Sequence, residues 1–326
     1  MSIGRIFSGM RPTGRLHLGN YKGALENWVN LQNDYDCFFC VVDWHALTTG
    51  YEDTSAIKEN IHEMVIDWLS AGLDPEKNVL FVQSHVKEHA ELHLLLSMVT
   101  PLGWLERVPT YKEQLQQLSG REIATYGFLG YPVLQAADIT GYKADTVPVR
   151  EDQVPHLELA REIVRRFNFL YGPVLVEPQV KLTKFAVLPG IDARKMSKSY
   201  DNLITMSAGP DEVKTRVLAM VTDPARIHKT DPGHPEVSVV YAFHKVFNPE
   251  GAAEIEESCR SGKIGCVACK KLLIEKLNTA LEPLRARRAE LEGNPGRVRE
   301  IIAHGAERAR RVIGQTMEEV RAAMRI

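Results

Sequence analysis

Residues 12–20 of the chain, Pro-Thr-Gly-Arg-Leu-His-Leu-Gly-Asn, set two glycines and a histidine between a short apolar segment (Ile6, Phe7) and a run with helical spacing. Glycine-rich backbone at the entry to a helix aims unpaired N–H groups and the positive end of a helix dipole at one point, which is how folds bind an anion. On that turn His17 adds a donor for a phosphate oxygen, and Gly19 lets a ligand approach the backbone closely. Arg11 is a candidate phosphate contact on the same turn, while Asn20 offers a donor without charge. A second segment, residues 195–199, reads Lys-Met-Ser-Lys-Ser. Two lysines three residues apart in a small hydroxyl-bearing loop suit a mobile clamp on a polyphosphate, because point charges on flexible stems follow a moving group. Each segment alone reads equally well as an ordinary strand–helix turn or an exposed lysine loop. Their occurrence together is the informative fact.

The elements around these segments alternate. Residues 5–8 read as a strand, and residues 21–33 as a helix with Leu25, Trp28, Val29 and Gln32 at helical spacing. Residues 37–43, Cys-Phe-Phe-Cys-Val-Val-Asp, form the near-continuous apolar run of a strand buried on both faces of a parallel sheet. Ile57, Ile61, Met64, Val65, Trp68 and Leu69 trace an amphipathic helix, with Asp53-Thr54-Ser55 as its expected cap. Residues 79–83 are the next strand, and strand 146–149 with helix 155–167 continues the order. Repeated β-α-β order implies an α/β fold, a Rossmann-like doubly wound parallel sheet with ligands at the carboxyl ends of its strands. Residues 91–130 read as a helical insertion, polar around 112–121 and closed by Gly127 and Gly130. Beyond Ser199 only helices are expected: 213–220, 269–281 stopped before Pro283, 297–303 and 306–324. The division follows as a catalytic domain over 1–192 and an α-helical domain, beginning with the lysine loop, over 193–326.

With 326 residues, 44% hydrophobic and 25% charged, the composition is that of a globular protein. A net charge of -2 excludes a globally basic nucleic-acid binder but not a local basic face. No apolar run reaches the length of a membrane span, and the N-terminus lacks a signal-peptide pattern. Five cysteines, an odd number in a chain of this size, argue for a reducing compartment, and a cytoplasmic location is expected.

Further segments sharpen the reading. Residues 131–139 are Tyr-Pro-Val-Leu-Gln-Ala-Ala-Asp-Ile; residues 147–153 are Val-Pro-Val-Arg-Glu-Asp-Gln; His156, Glu158 and residues 166–168, Arg-Phe-Asn, follow. With residues 7–14 (Phe-Ser-Gly-Met-Arg-Pro-Thr-Gly) and 43–46 (Asp-Trp-His-Ala), they resemble the bacterial tryptophanyl-tRNA synthetase family of class I aminoacyl-tRNA synthetases over nearly the whole chain. The resemblance implies ATP-dependent charging of tRNA(Trp) with L-tryptophan through an adenylate, with Mg²⁺ accompanying ATP, a helical domain that reads the anticodon, and a homodimer without membrane association. It implies Lys195, Lys198 and His17 as catalytic groups. The ATP contacts it implies are Arg11, Pro12, Thr13, His17, Gly19, Asn20, Arg150, Glu151, Asp152, Leu188, Lys195, Met196, Ser197, Lys198 and Ser199. Many class I enzymes carry two histidines where His17 and Asn20 stand, and Arg150 replaces the glycine this family has beside the ribose pocket. Phe7, Tyr131, Val147 and Val149 would line the indole pocket, with Gln135, Gln153 and His45 around the amino and carboxylate groups. Indole offers only an N–H donor, so a site that selects tryptophan needs a buried acceptor, and Asp138 is the candidate. Tyrosyl-tRNA synthetases share the spacing of Tyr131, Gln135 and Asp138 and are the competing relatives. A protein of the same superfold that activates only small molecules is the other alternative.

Cys37 and Cys40 lie on a strand with their side chains on opposite faces, so core packing is their expected role. Cys259, Cys266 and Cys269 surround a glycine-rich turn. Some members of the resembled family carry a four-cysteine iron–sulfur cluster there, and Ser238 stands in place of the first cysteine. A [4Fe-4S] cluster with a weak fourth ligand, or zinc completed by His234, is the expectation set against metal-free thiols.

Overall fold

The computed structural model describes residues 3–108, 124–182, 188–228 and 230–326, apart from the side chain of Ser199. The polar segment 112–121 of the expected insertion lies outside the described residues. Five strands, β1 (Arg5–Met10), β2 (Asp36–Val41), β3 (Val79–Val82), β4 (Thr146–Val149) and β5 (Gln179–Leu182), form one sheet in the order β3-β2-β1-β4-β5. All four pairings are parallel. Chain order reverses between β1 and β4, and that switch point opens a crevice at the carboxyl ends of the strands. Strand β5 was not expected: its partly exposed Gln-Val-Lys-Leu lacks the apolar run of an inner strand, as befits a sheet edge.

The crossovers carry helices α1 (Leu18–Asn20), α2 (Glu26–Leu31), α3 (Asp43–Gly50) and α4 (Ile57–Ala71). A π-helical turn, Tyr21–Leu25, joins α1 to α2. Then come α5 (Glu88–Val99), α6 (Leu102–Glu106), α7 (Tyr126–Thr140) and α8 (Val154–Tyr171). The second half is helical among the described residues: α9 (Pro210–Leu218), α10 (Val239–Phe247), α11 (Pro249–Arg260), α12 (Cys266–Glu292) and α13 (Pro295–Met324). No described helix is long and apolar enough to cross a membrane.

Four expectations need correction. Asp53 does not cap α4; its carboxylate closes a local turn on the Ser55 N–H at 3.0 Å and hydroxyl at 2.6 Å, and the helix begins at Ile57. Gly127 and Gly130 do not close a segment but lie in the first turns of α7. Helix α12 runs through Pro283 to Glu292, because Leu277, Leu281 and Leu284 on either side of it are buried in the core. The packing outweighs the one helical hydrogen bond that proline cannot donate. The two expected C-terminal helices are one, α13, and Gly305 is not a break. A Cβ at Gly305 would lie 1.8 Å from the Leu80 carbonyl oxygen, so glycine lets the helix pass directly over β3. The cysteine pair on β2 behaves as expected: Cys37 and Cys40 are both fully buried, one in the core on each face of the sheet.

Candidate active site

A cavity of about 650 Å³ opens at the β1–β4 switch point. Strand β1 contributes Phe7, with Arg11 just past its end; β4 contributes Val147 and Val149, with Arg150, Asp152 and Gln153 beyond it. Helix α7 brings Tyr131, Gln135 and Asp138 to the same wall, α3 brings His45, and Asn20 and Lys195 complete the set. His156, which accompanied the family motifs in the sequence, also lines the cavity, with a ring nitrogen 3.3 Å from the Tyr131 hydroxyl.

Asp138 is 1% exposed and richly partnered. Its Oδ2 lies 2.8 Å from His45 Nε2, and its Oδ1 2.7 Å from His89 Nδ1. The Gln83 amide donates to both oxygens, at 2.7 and 2.9 Å. His89 Nε2 in turn meets the Tyr142 hydroxyl at 2.7 Å. Burial alone would push the carboxyl up, but the hydrogen bonds from His45 and His89 prevail and hold its pKa at about 2. The site therefore presents a fixed anionic acceptor inside an aromatic pocket. Sequence reasoning missed Gln83 and His89. Gln83 carried a signal, being the polar residue that follows the apolar run of β3.

On another side of the site the two motif segments meet. Leu18 N–H donates to the Ile204 carbonyl at 2.9 Å, and Met206 N–H to the Leu16 carbonyl at 2.9 Å, which ties the turn to the chain following the lysine loop. Asn20 N–H donates to His17 Nδ1 at 3.2 Å, so a neutral His17 carries its proton on Nε2 and remains a donor. Burial, reinforced by Lys198, lowers the His17 pKa to about 4. The Lys198 amine donates to the Thr13 carbonyl, beside Gly14 at φ +90°. Asn202, 1% exposed, braces the lysine loop: its side-chain oxygen accepts the Ser197 N–H at 2.8 Å, and its amide donates to the Lys195 carbonyl at 3.1 Å and to Asp192 at 2.7 Å. It too was missed.

The remaining expected contacts divide. Arg11 lines the cavity while its guanidinium reaches Thr49 Oγ1 at 2.5 Å on α3. Arg150 pairs with Asp152 at 3.3 Å, both half-exposed, which contributes little to stability. Glu151 is exposed and lies outside the cavity lining. So do Pro12, Thr13, His17, Gly19, Ser197 and Lys198. Leu188 and Met196 are core residues, 4% and 6% exposed. The space above Gly19 is filled by the His17 ring and the Met196 sulfur, so Gly19 makes room for protein groups here.

The metal expectation is not met. Cys259, Cys266, Cys269 and Ser238 share the lining of a cavity of about 20 Å³. Among the described residues, however, no group of three or more His, Cys, Asp or Glu is arranged to hold a metal ion. His234 turns instead to Asp223, at 2.8 Å. Burial, then the neighbouring Cys259 and Cys266, pushes the Cys269 thiol up to about 12.

The family described as "tRNA synthetases class I (W and Y)" matches residues 4–282. A tryptophan–tRNA ligase of Thermotoga maritima is 51% identical over 99% of this chain and 99% of its own length. One from Aquifex aeolicus is 45% identical over 99% of this chain and 100% of its own. The crystal structure of tryptophanyl-tRNA synthetase from Campylobacter jejuni, solved with ADP and tryptophan, superposes with a TM-score of 0.89 at 33% identity, covering 99% of this chain and 100% of that one.

Proposed function

The chain belongs to the class I tRNA synthetases of the tryptophan and tyrosine type, and from that premise we propose that it charges tRNA(Trp) with L-tryptophan at the β1–β4 crevice. The buried Asp138 carboxylate carries the choice of amino acid. An indole N–H can donate to this fixed carboxylate on its His45 side, a charge-assisted bond that phenylalanine, with no N–H, cannot make. Phe7, Tyr131, Val147 and Val149 enclose the ring, and Gln135 and Gln153 face the amino and carboxylate groups.

The tryptophan carboxylate attacks the α-phosphorus of ATP; the bond to the bridging oxygen breaks, and pyrophosphate leaves with that electron pair. The terminal ribose hydroxyl of tRNA then takes the aminoacyl group and releases AMP. Positioning and charge stabilisation dominate such displacements. His17 Nε2–H, Lys195 and Lys198 meet the phosphates, with Arg11, Asn20, Arg150 and Asp152 around the nucleotide. Mg²⁺ would travel on the ATP phosphates, since the described residues offer it no cage.

The helical half, 193–326, reads the anticodon in this account. The exposed apolar side chains Leu94, Met98, Leu102 and Tyr126 on α5, α6 and α7 support pairing of two copies through this region. The five cysteines are free thiols, in keeping with a reaction in the cytoplasm. The test is amino-acid-dependent ATP–pyrophosphate exchange. Dependence on tryptophan is expected; dependence on tyrosine, or on neither, overturns the assignment.

A further inference from the structure

Helix α4 is apolar on its inner face, where Met64, Val65, Ile66, Trp68 and Leu69 are buried. Asp67 sits among them, 1% exposed. One of its oxygens accepts the backbone N–H of Leu16 at 2.6 Å, in the middle of the glycine-rich turn. The other accepts Arg288 Nη1 at 2.6 Å. Arg288 belongs to α12 in the helical half and is itself 4% exposed. Its remaining nitrogens are also used: Nε donates to Glu292 at 2.8 Å and Nη2 donates to Glu63 on α4. Glu63 Oε2 also accepts Arg15 Nε at 2.6 Å. Two consecutive turn residues, Arg15 and Leu16, are thus tied through two α4 carboxylates to one guanidinium from the other half of the molecule.

A plain packing role for this ion pair is the competing explanation. Against it stands the division of labour on Asp67. Its Arg288-facing oxygen fixes the orientation of the carboxylate, and the opposite oxygen fixes the direction of the peptide that precedes Leu16. The next residue is His17, whose ring caps Asn20 N–H. A tilt of the Leu16 peptide would move the histidine ring with it. Docking of α12 on α4 also has a separate anchor, Arg287 Nε on the Ser70 carbonyl at 2.6 Å. Burial pushes the Asp67 carboxyl up to about 6 in spite of the Leu16 N–H and Arg288, so the anion depends on those partners.

We propose that Arg288 and Asp67 are a positioning pair for the nucleotide turn, through which the helical half sets the geometry of the phosphate site. The proposal rests on the assignment of residues 12–20 to ATP. Neither side chain touches substrate; both act through the Leu16 peptide and His17.

The experiment measures ATP–pyrophosphate exchange for the full chain and for Arg288→Gln, Arg288→Lys, Asp67→Asn and Arg15→Gln, each below its own melting temperature. Arg288→Gln is expected to raise the KM for ATP by about tenfold or more, because a turn displaced by about 1 Å loses its alignment with the phosphates, and to leave the KM for tryptophan unchanged. Arg288→Lys keeps the charge but not the fork and should recover part of the loss. Arg15→Gln, at an exposed residue, should fold normally and raise the ATP KM less. Combining Asp67→Asn with Arg288→Gln restores a neutral pair and should improve on Arg288→Gln alone. A folded Arg288→Gln with an unchanged ATP KM overturns the proposal, as does one whose ATP and tryptophan KM rise equally. Lys198→Ala separates the two levels: if it too leaves ATP use intact, the nucleotide assignment itself has failed.

Discussion

Replacing Asp138 with asparagine keeps the side-chain shape and removes the charge, so it isolates the acceptor that the structure places in the aromatic pocket. The carboxylate already receives His45 on one oxygen, His89 on the other, and the Gln83 amide on both. His89 and Gln83 are fully buried and cannot give way. The His45 ring is 11% exposed and lines the cavity, so Oδ2 on the His45 side is the face an indole N–H can reach. A hydrogen bond to a charged acceptor contributes about 1.5–3 kcal/mol, so its loss should lower kcat/KM for tryptophan by about 10- to 150-fold. Phenylalanine has no N–H to lose, and its kcat/KM should hold or rise. The ratio of tryptophan to phenylalanine in pyrophosphate exchange should therefore collapse by at least the same factor, with the KM for ATP unmoved. A stability loss should accompany it, because an amide turns its own N–H₂ toward histidine and glutamine donors. Melting curves therefore set the assay temperature. Should folded Asp138→Asn keep both its tryptophan KM and its exclusion of phenylalanine, the carboxylate would be a structural anion and the indole acceptor would lie elsewhere.

Lys198→Ala should lower kcat for adenylate formation by about a hundredfold to a thousandfold, as loss of one preorganised charge contact does, with tryptophan binding retained by calorimetry. Asn202→Ala removes the brace on the lysine loop and should impair the same step at a cost of about 1–3 kcal/mol in stability, read by urea denaturation. Because the native His17 pKa lies at about 4 against about 6.5 unfolded, the unfolded chain takes up the proton first as pH falls. Its contribution to stability is full above about 6.5 and is lost toward about 4, so His17→Gln should flatten part of the stability–pH slope in that window. Gly305→Ala should destabilise by about 1–3 kcal/mol or more without changing KM for either substrate, since the new methyl meets the Leu80 carbonyl under α13.

The parts of this molecule that a one-dimensional reading reaches are those whose chemistry is local. Glycine spacing, paired lysines and the apolar run of β2 each state their meaning within a few residues, and the parallel α/β sheet and the meeting of the two motif segments follow from them. The errors fall where a distant partner decides. Pro283 and Gly305 look like helix breaks in isolation, but leucines packed in the core and the close approach to β3 carry the helices through them. Gln83, His89, Asp67 and Arg288 escape it for the same reason, since each acts on a residue 49 to 221 positions away. Two of them share a trait that can be sought in other chains. Asp67 interrupts the buried face of α4, and Gln83 ends the apolar run of β3. A polar residue where periodicity demands an apolar one must find a partner, because an unpaired buried charge or amide is too costly to keep. In this chain those partners lead from Gln83 to the Asp138 cavity and from Asp67 to the glycine-rich turn, so the interruptions of the hydrophobic pattern mark supports of the candidate site.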